Sequence, residues 1–289
     1  MSHNPVNSLD NSVNNFGSWG ILTAADSNIF ESLKLLVRSL HEINYIPLAC
    51  ADLGLTEDQC NWLIKHHVHL IDDPVPPHVF KTLTGPASIA GPPDLPERER
   101  LIWKKPWLIA VSPFIYTLWL DADTVVLDDL IPLFTSVQDK GVQVFIDAES
   151  ELSRNPPNLY ELFPPSTDAP ELPINSGVVG LCLDRDAELI YAWRYLIEQV
   201  IHDRHLRHNN VTFSDQGALI WALRDYGVRS TGHANRWNRV ANGLGEANRD
   251  QRNRYKDDNR LFERIAADHP GSAIVHWTSK PKLPDLLDP

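Results

Sequence analysis

The sequence predicts an α/β fold, a mostly parallel central sheet flanked by helices, in a single domain of two abutting halves. Short apolar runs alternate with segments whose apolar residues recur at helical spacing, the pattern of successive strand–helix units. The chain has 289 residues, 43% of them hydrophobic, which suffices for one large domain with an ample core. Polar singularities also stand at the ends of the apolar runs, where open α/β sheets gather their ligands. The division expected is a disordered polar tail over 1–16, a first half over 17–140 and a second over 141–289.

Trp19 to Ala25 reads as the first strand, and Asp26-Ser27-Asn28 then supply N-capping side chains. Ile29, Leu33, Leu36, Val37, Leu40 and Ile43 follow at helical spacing. The pattern repeats: Ile46 to Ala51 as a strand, Thr56 to Gln59 as a helix start with Trp62, Leu63 and Ile64 behind it, and Val68 to Ile71 as a further strand. From Asp72 to Arg100 the chain is rich in proline and lacks periodicity, which predicts a long surface excursion. Order resumes at Leu101 to Trp107. Beyond the acidic segment described next, Asp128 and Asp129 can cap a short helix through Phe134, and Val142 to Ile146 reads as a strand ending at Asp147. After a second proline-rich stretch over 155–173 come Ile174 to Leu181, then an amphipathic helix carrying Leu189, Ile190, Trp193, Leu196, Ile197, Val200 and Ile201. A helix start at Asp215, a polar region over 248–260 and a last strand over Ala273 to Trp277 complete the series.

The most informative segment is Tyr116 to Leu127, which reads as one buried strand interrupted by Asp121 and Asp123. Alternate strand residues share a face, so the two carboxylates would converge, and hard oxygens so placed suit Mg²⁺ or Mn²⁺. A metal there implies a phosphate. The plainer alternative is that Asp-x-Asp ends a strand and begins a turn. Asp26 and Asn28 read equally well as helix caps, and His276 as a structural histidine.

Composition narrows the partners. Lys plus Arg number 26 against 38 Asp plus Glu, a formal charge of −12, which argues against nucleic acid or an anionic membrane. A phosphate would have to be held locally. Cys50, Cys60 and Cys182 lack metal-ligand spacing and predict free thiols, not a disulfide framework. No apolar run is long enough to span a membrane, and Met1 to Asn15 is polar, so a cytoplasmic protein is the expectation.

Six motifs in order resemble the nucleotide-sugar glycosyltransferases of the GT-A fold, most closely the retaining family 8 that includes glycogenin and bacterial lipopolysaccharide galactosyltransferases. They are Ala24-Ala25-Asp26-Ser27-Asn28, Asp121-Ala122-Asp123, Asn175-Ser176-Gly177, Asp215-Gln216, Arg236-Trp237-Asn238, and His276 followed by Lys280-Pro281. The likeness runs from about Gly17 to Lys282. It implies that the first half binds a nucleotide sugar, with Ala25, Asp26 and Asn28 meeting uracil and ribose. It further implies that Asp121, Asp123 and His276 hold Mn²⁺, or Mg²⁺, against the diphosphate. Lys280, with Lys104 or Lys105, would add cationic contacts. Asp147, Asn175, Ser176 and Asp215 would face the sugar, with Gln216 near the anomeric carbon. The donor implied is a UDP-sugar and the acceptor a saccharide, lipid or protein. The sequence departs from the family where Lys280 stands closer to His276 than the pattern has it, which leaves Lys282 as a substitute.

Two rival readings stand beside this one. Leu120 to Val125 also fits the nucleophile-plus-acid signature of haloacid dehalogenase-type phosphatases, in which Asp121 would attack phosphorus. A nucleotide-sugar-binding protein without transfer activity is the non-enzymatic alternative.

Overall fold

The computed structural model describes residues 18–43, 46–75, 103–146, 174–202, 215–228, 234–241 and 260–277. Their elements are β1 (Trp19–Ala25), α1 (Phe30–Ile43), β2 (Leu48–Asp52), α2 (Glu57–Lys65), β3 (His69–Ile71), α3 (Lys105–Ala110), β4 (Tyr116–Leu120) and β5 (Thr124–Val126). Then come α4 (Ile131–Lys140), β6 (Gln143–Ile146), β7 (Ile174–Cys182), α5 (Ala187–His202), α6 (Asp215–Asp225), α7 (Ala234–Trp237), β8 (Arg239–Ala241), α8 (Leu261–Asp268) and β9 (Ile274–Trp277).

Six strands form the main sheet in the order β3-β2-β1-β4-β7-β6. Strands β3, β2, β1 and β4 run parallel, and β7 lies antiparallel between β4 and β6. The expected mostly parallel sheet is therefore present. Its faces follow from the two-residue period of a strand. On β4, Leu118 and Leu120 pack with Leu33, Leu36 and Phe134 of α1 and α4, while Trp119 packs with Trp107, Trp193 and Leu219 on the opposite face. Each such side chain contributes about 1.5–3 kcal/mol of burial, so the sheet is held from both sides.

Local chemistry sets the element bounds. Strand β2 opens one residue after Pro47, whose carbonyl still accepts from the Ile21 N–H at 2.9 Å although proline has no N–H to return. Helix α2 begins with a capping box in which Thr56 and Gln59 satisfy each other's backbone N–H groups. Helix α4 runs further than Phe134. Asp129 accepts from the Ile131 N–H at 2.9 Å, Pro132 fits the first turn, and Gly141 ends the helix at φ +94°.

The segment expected to be one strand through Leu127 is two. The β4–β7 ladder ends at Leu120 opposite Val178, followed by a bond from the Asp121 N–H to the Gly177 carbonyl at 2.8 Å. The chain then turns. Both the N–H and the hydroxyl of Thr124 donate to the Asp121 carbonyl, at 3.1 and 2.8 Å, and β5 joins a separate sheet in the order β5-β9-β8. The aspartates converge because they flank this turn, not because they alternate along a strand. Val125, Val275 and Trp277 of the small sheet pack on Leu261 and Ile265 of α8.

Cys50, Cys60 and Cys182 are free thiols, as expected. No helix among the described residues is long and apolar enough to cross a membrane. The second proline-rich stretch lies wholly outside the described residues, and so does the first beyond Asp72 to Val75.

Candidate active site

The site forms where β4 and β1 end and β7 begins. Asp121 and Asp123 flank the turn after β4, and the pairing of Thr124 with His276 carries the last strand's histidine to them. His276 Nε2 stands 3.1 Å from Asp123 Oδ1 and 3.6 Å from Asp121 Oδ2. One donor atom from each residue lies within 4.8 Å of the others, and this is the cluster with metal-holding geometry among the described residues. Donors at about 2.1 Å from a six-coordinate ion stand about 3 Å apart, so these spacings fit a small divalent cation.

Asp121 is fixed from behind. Asp121 Oδ1 accepts from the Trp119 indole N–H at 2.7 Å; Trp119 lies two residues earlier and shares its face. The same oxygen lies 3.0 Å from Lys105 Nζ. Lys105 also reaches Asp215 Oδ2 at 3.0 Å, and the Ser176 hydroxyl and carbonyl oxygens at 3.1 Å each. Burial pushes the Lys105 ammonium down, yet Asp121 and Asp215 outweigh it and hold the group above its ordinary value. An ammonium has only three protons to give, and four protein oxygens meet this one. Contact with a diphosphate would require it to exchange a partner.

Asp215, at the first position of α6, accepts from the Ser176 hydroxyl at 2.8 Å as well as facing Lys105. Gln216 Oε1 accepts from the Ser176 N–H at 3.2 Å. The structure thus brings together Lys105, Asp121, Asp123, Asn175, Ser176, Asp215, Gln216 and His276 from positions far apart in the chain.

Ala25 is the buried last residue of β1, and Asp26 follows it at the strand's carboxyl end. Asp26 serves as a cap: Oδ1 accepts from the N–H groups of Asn28 at 2.9 Å and Ile29 at 3.1 Å, and Oδ2 accepts from the Asn28 side chain at 3.1 Å. Lys104 pairs with Asp73. Asp147 and Lys280, with Lys282, lie outside the described residues.

Three contributors carried no role in the sequence reading. Trp119 was legible in principle, two positions from Asp121. Gly177 is required by close approach, since a Cβ there would stand 2.1 Å from His276 Cε1 and 2.9 Å from Asn175 Oδ1. Asn238 is buried and donates to the carbonyl and side-chain oxygens of Asn175 at 3.2 and 3.1 Å. Both had appeared only inside motif strings.

No protein-family model matches the chain, and no curated protein does. Solved structures do. The galactosyltransferase LgtC, in complex with donor and acceptor sugar analogues, aligns at a TM-score of 0.56 and 19% identity over 91% of this chain and 88% of that one. The bifunctional glycosyltransferase WbbM, in its apo form, aligns at 0.57 and 14% identity, covering 92% of this chain and 46% of its own. Mouse xyloside xylosyltransferase 1, also apo, aligns at 0.53 and 15% identity over 90% and 97%. The fold is that of the GT-A glycosyltransferases.

Proposed function

We propose that this chain is a metal-dependent glycosyltransferase that transfers a sugar from a UDP-sugar to a hydroxyl of a saccharide, lipid or protein, with retention of configuration. The observation that carries the reading is the convergence of Asp121, Asp123 and His276 beside a buried polar floor of Asn175, Ser176, Asp215 and Gln216. On a GT-A fold this convergence supports a divalent cation and a sugar held side by side. A ligand set of two carboxylates and one imidazole favours Mn²⁺ over Mg²⁺, which prefers oxygen throughout. The bound ion supplies Lewis-acid stabilisation of the negative charge that develops on the leaving diphosphate.

The chain's own residues do the rest. Asp121 and Asp123 balance the cation, and Lys105 keeps Asp121 and Asp215 in place. The amide nitrogens of Asn175 and Gln216 are the groups left to meet sugar oxygens, since the side-chain oxygen of each is already accepting. Ala25, Asp26 and Asn28 lie at the end of β1, where the nucleoside would rest, and Asp147 and Lys280 complete the donor contacts in this reading. The bond from the anomeric carbon to the diphosphate oxygen breaks, a bond to the acceptor oxygen forms, and the acceptor proton passes to the departing phosphate. Asp215 Oδ2 is paired with Lys105 and accepts from the Ser176 hydroxyl, which supports this front-face route over a carboxylate nucleophile. The phosphatase reading gains nothing from the fold, which is that of the GT-A glycosyltransferases.

A thermal-shift screen of UDP-, GDP- and ADP-sugars with and without Mn²⁺ tests the donor and the metal together. Stabilisation by UDP-sugars that requires Mn²⁺ is the expected result. Transfer should disappear in Asp123→Ala with the melting curve still cooperative, and full activity in excess chelator would sink the reading. Proton NMR of the fresh product should show an α-linkage from an α-linked donor.

A further inference from the structure

Resting on the metal reading above, we propose that Asn175 and Asn238 form a positioning relay that fixes a proton on His276 Nδ1 and so commits Nε2 to the cation. The atom identities follow from the bonding. Asn175 Oδ1 lies 2.9 Å from the Gly177 N–H, and a backbone N–H can only donate, so the side-chain atom facing it is the oxygen. His276 Nδ1 lies 3.1 Å from that same oxygen and must supply the proton of the contact. The imidazole then has one nitrogen left, and it is the one facing Asp121 and Asp123.

The second asparagine locks the first. Asn238 Nδ2 stands near two acceptors, the carbonyl and Oδ1 of Asn175, so its two protons hold the Asn175 amide against rotation. A flipped Asn175 would point its NH₂ at the Gly177 N–H and at Asn238 Nδ2, donors against donors. All three side chains are buried, so water cannot compensate such an error. Gly177 closes the last route, because its missing Cβ leaves the space the imidazole fills. Neither asparagine touches the metal position through the atoms of this relay. They act by setting which nitrogen of His276 is presented and in what direction.

Nitrogen NMR of the metal-free full-length protein reads the proton position directly, with His276→Gln assigning the signal among the 12 histidines. Nδ1 should carry a proton in the wild type, and an unprotonated Nδ1 would overturn the relay. Calorimetry with Mn²⁺ alone supplies the second readout. Asn175→Ala should bind Mn²⁺ roughly 10–100-fold more weakly, the usual loss when the partner of a metal-bound histidine is removed, and Asn238→Ala, one step further out, should weaken it by a smaller factor. Asn175→Asp, which keeps an accepting oxygen, should retain the Nδ1 proton and Mn²⁺ binding. Unchanged affinity in both alanine variants, with folding verified by circular dichroism, would also overturn the proposal. Failure of the wild type to bind Mn²⁺ would instead remove the metal reading and the positioning role with it, even with the Nδ1 proton in place.

Discussion

At the scale of single residues, Gly177 and Lys105 matter for opposite reasons. Gly177 contributes empty space: the imidazole of His276 lies where a side chain would begin. Gly177→Ala should displace the ring and weaken Mn²⁺ binding at least 10-fold by calorimetry. Lys105 contributes charge in a buried place. Lys105→Met leaves Asp215 buried without its cation and should cost about 3–5 kcal/mol in urea unfolding. Adding Asp215→Asn to that variant should recover part of the loss, because the orphaned charge goes with it. An equal or larger loss in the double variant would mean that Lys105 stabilises chiefly by packing over the Trp119 ring, 5.5 Å from its Nζ. The residue types at this site were visible in the sequence, but their assignments were less so. Lys105 was expected to face phosphate, and it faces two aspartates and a serine. Nothing in linear order shows that four oxygens from three elements surround one ammonium.

At the scale of elements, periodicity read the helices well and the short strands poorly. Helix α1 buries Leu33, Leu36, Val37 and Leu40, and α5 buries Leu189, Ile190, Trp193, Leu196 and Ile197, as their apolar spacing predicts. The turn at Asp121 to Asp123 had been the plainer alternative, and apolar residues on both sides of it disguised two strands as one. Strands β5 and β8 have three residues each, too few for any alternation to register. The direction of β7 was equally hidden, since an all-buried strand looks the same either way. Element ends also carry measurable energy. Thr56→Ala removes the side-chain half of the α2 capping box and should cost about 1 kcal/mol, read by denaturant titration. At the end of α8, burial lowers the His269 imidazole below its ordinary value, Arg239 adds to this and Asp268 opposes it. The ring packs edge-on against Trp277, 5.8 Å away. The native state therefore prefers neutral His269, and the unfolded chain takes up the proton first as pH falls. Its contribution is neutral above about pH 6.5 and destabilising below. His269→Gln should accordingly show a smaller drop in melting temperature than the wild type between neutral and mildly acidic buffer.

At the scale of the whole molecule, the main sheet and the small sheet meet at the site. Asn175 and Ser176 belong to β7 of the main sheet and Asp121 directly follows its β4, whereas His276 belongs to β9, which among the described residues pairs with β5 and β8. A cation held by all three ligands therefore ties one sheet to the other. Mn²⁺ at a hundredfold excess over its dissociation constant should stabilise the protein by about 2.7 kcal/mol. In Asp123→Ala that gain should vanish, and differential scanning calorimetry of the two proteins side by side reads the difference. The order of the ligands along the chain adds a consequence in time. During synthesis the ribosome releases Asp121 and Asp123 long before His276, and β9 cannot zip onto β5 until it has emerged. A nascent chain thus carries two carboxylates without their imidazole, a weak and indiscriminate trap for cations. In the proposed reading, selective loading would wait for β9, and a translation product interrupted before it would lack the third ligand.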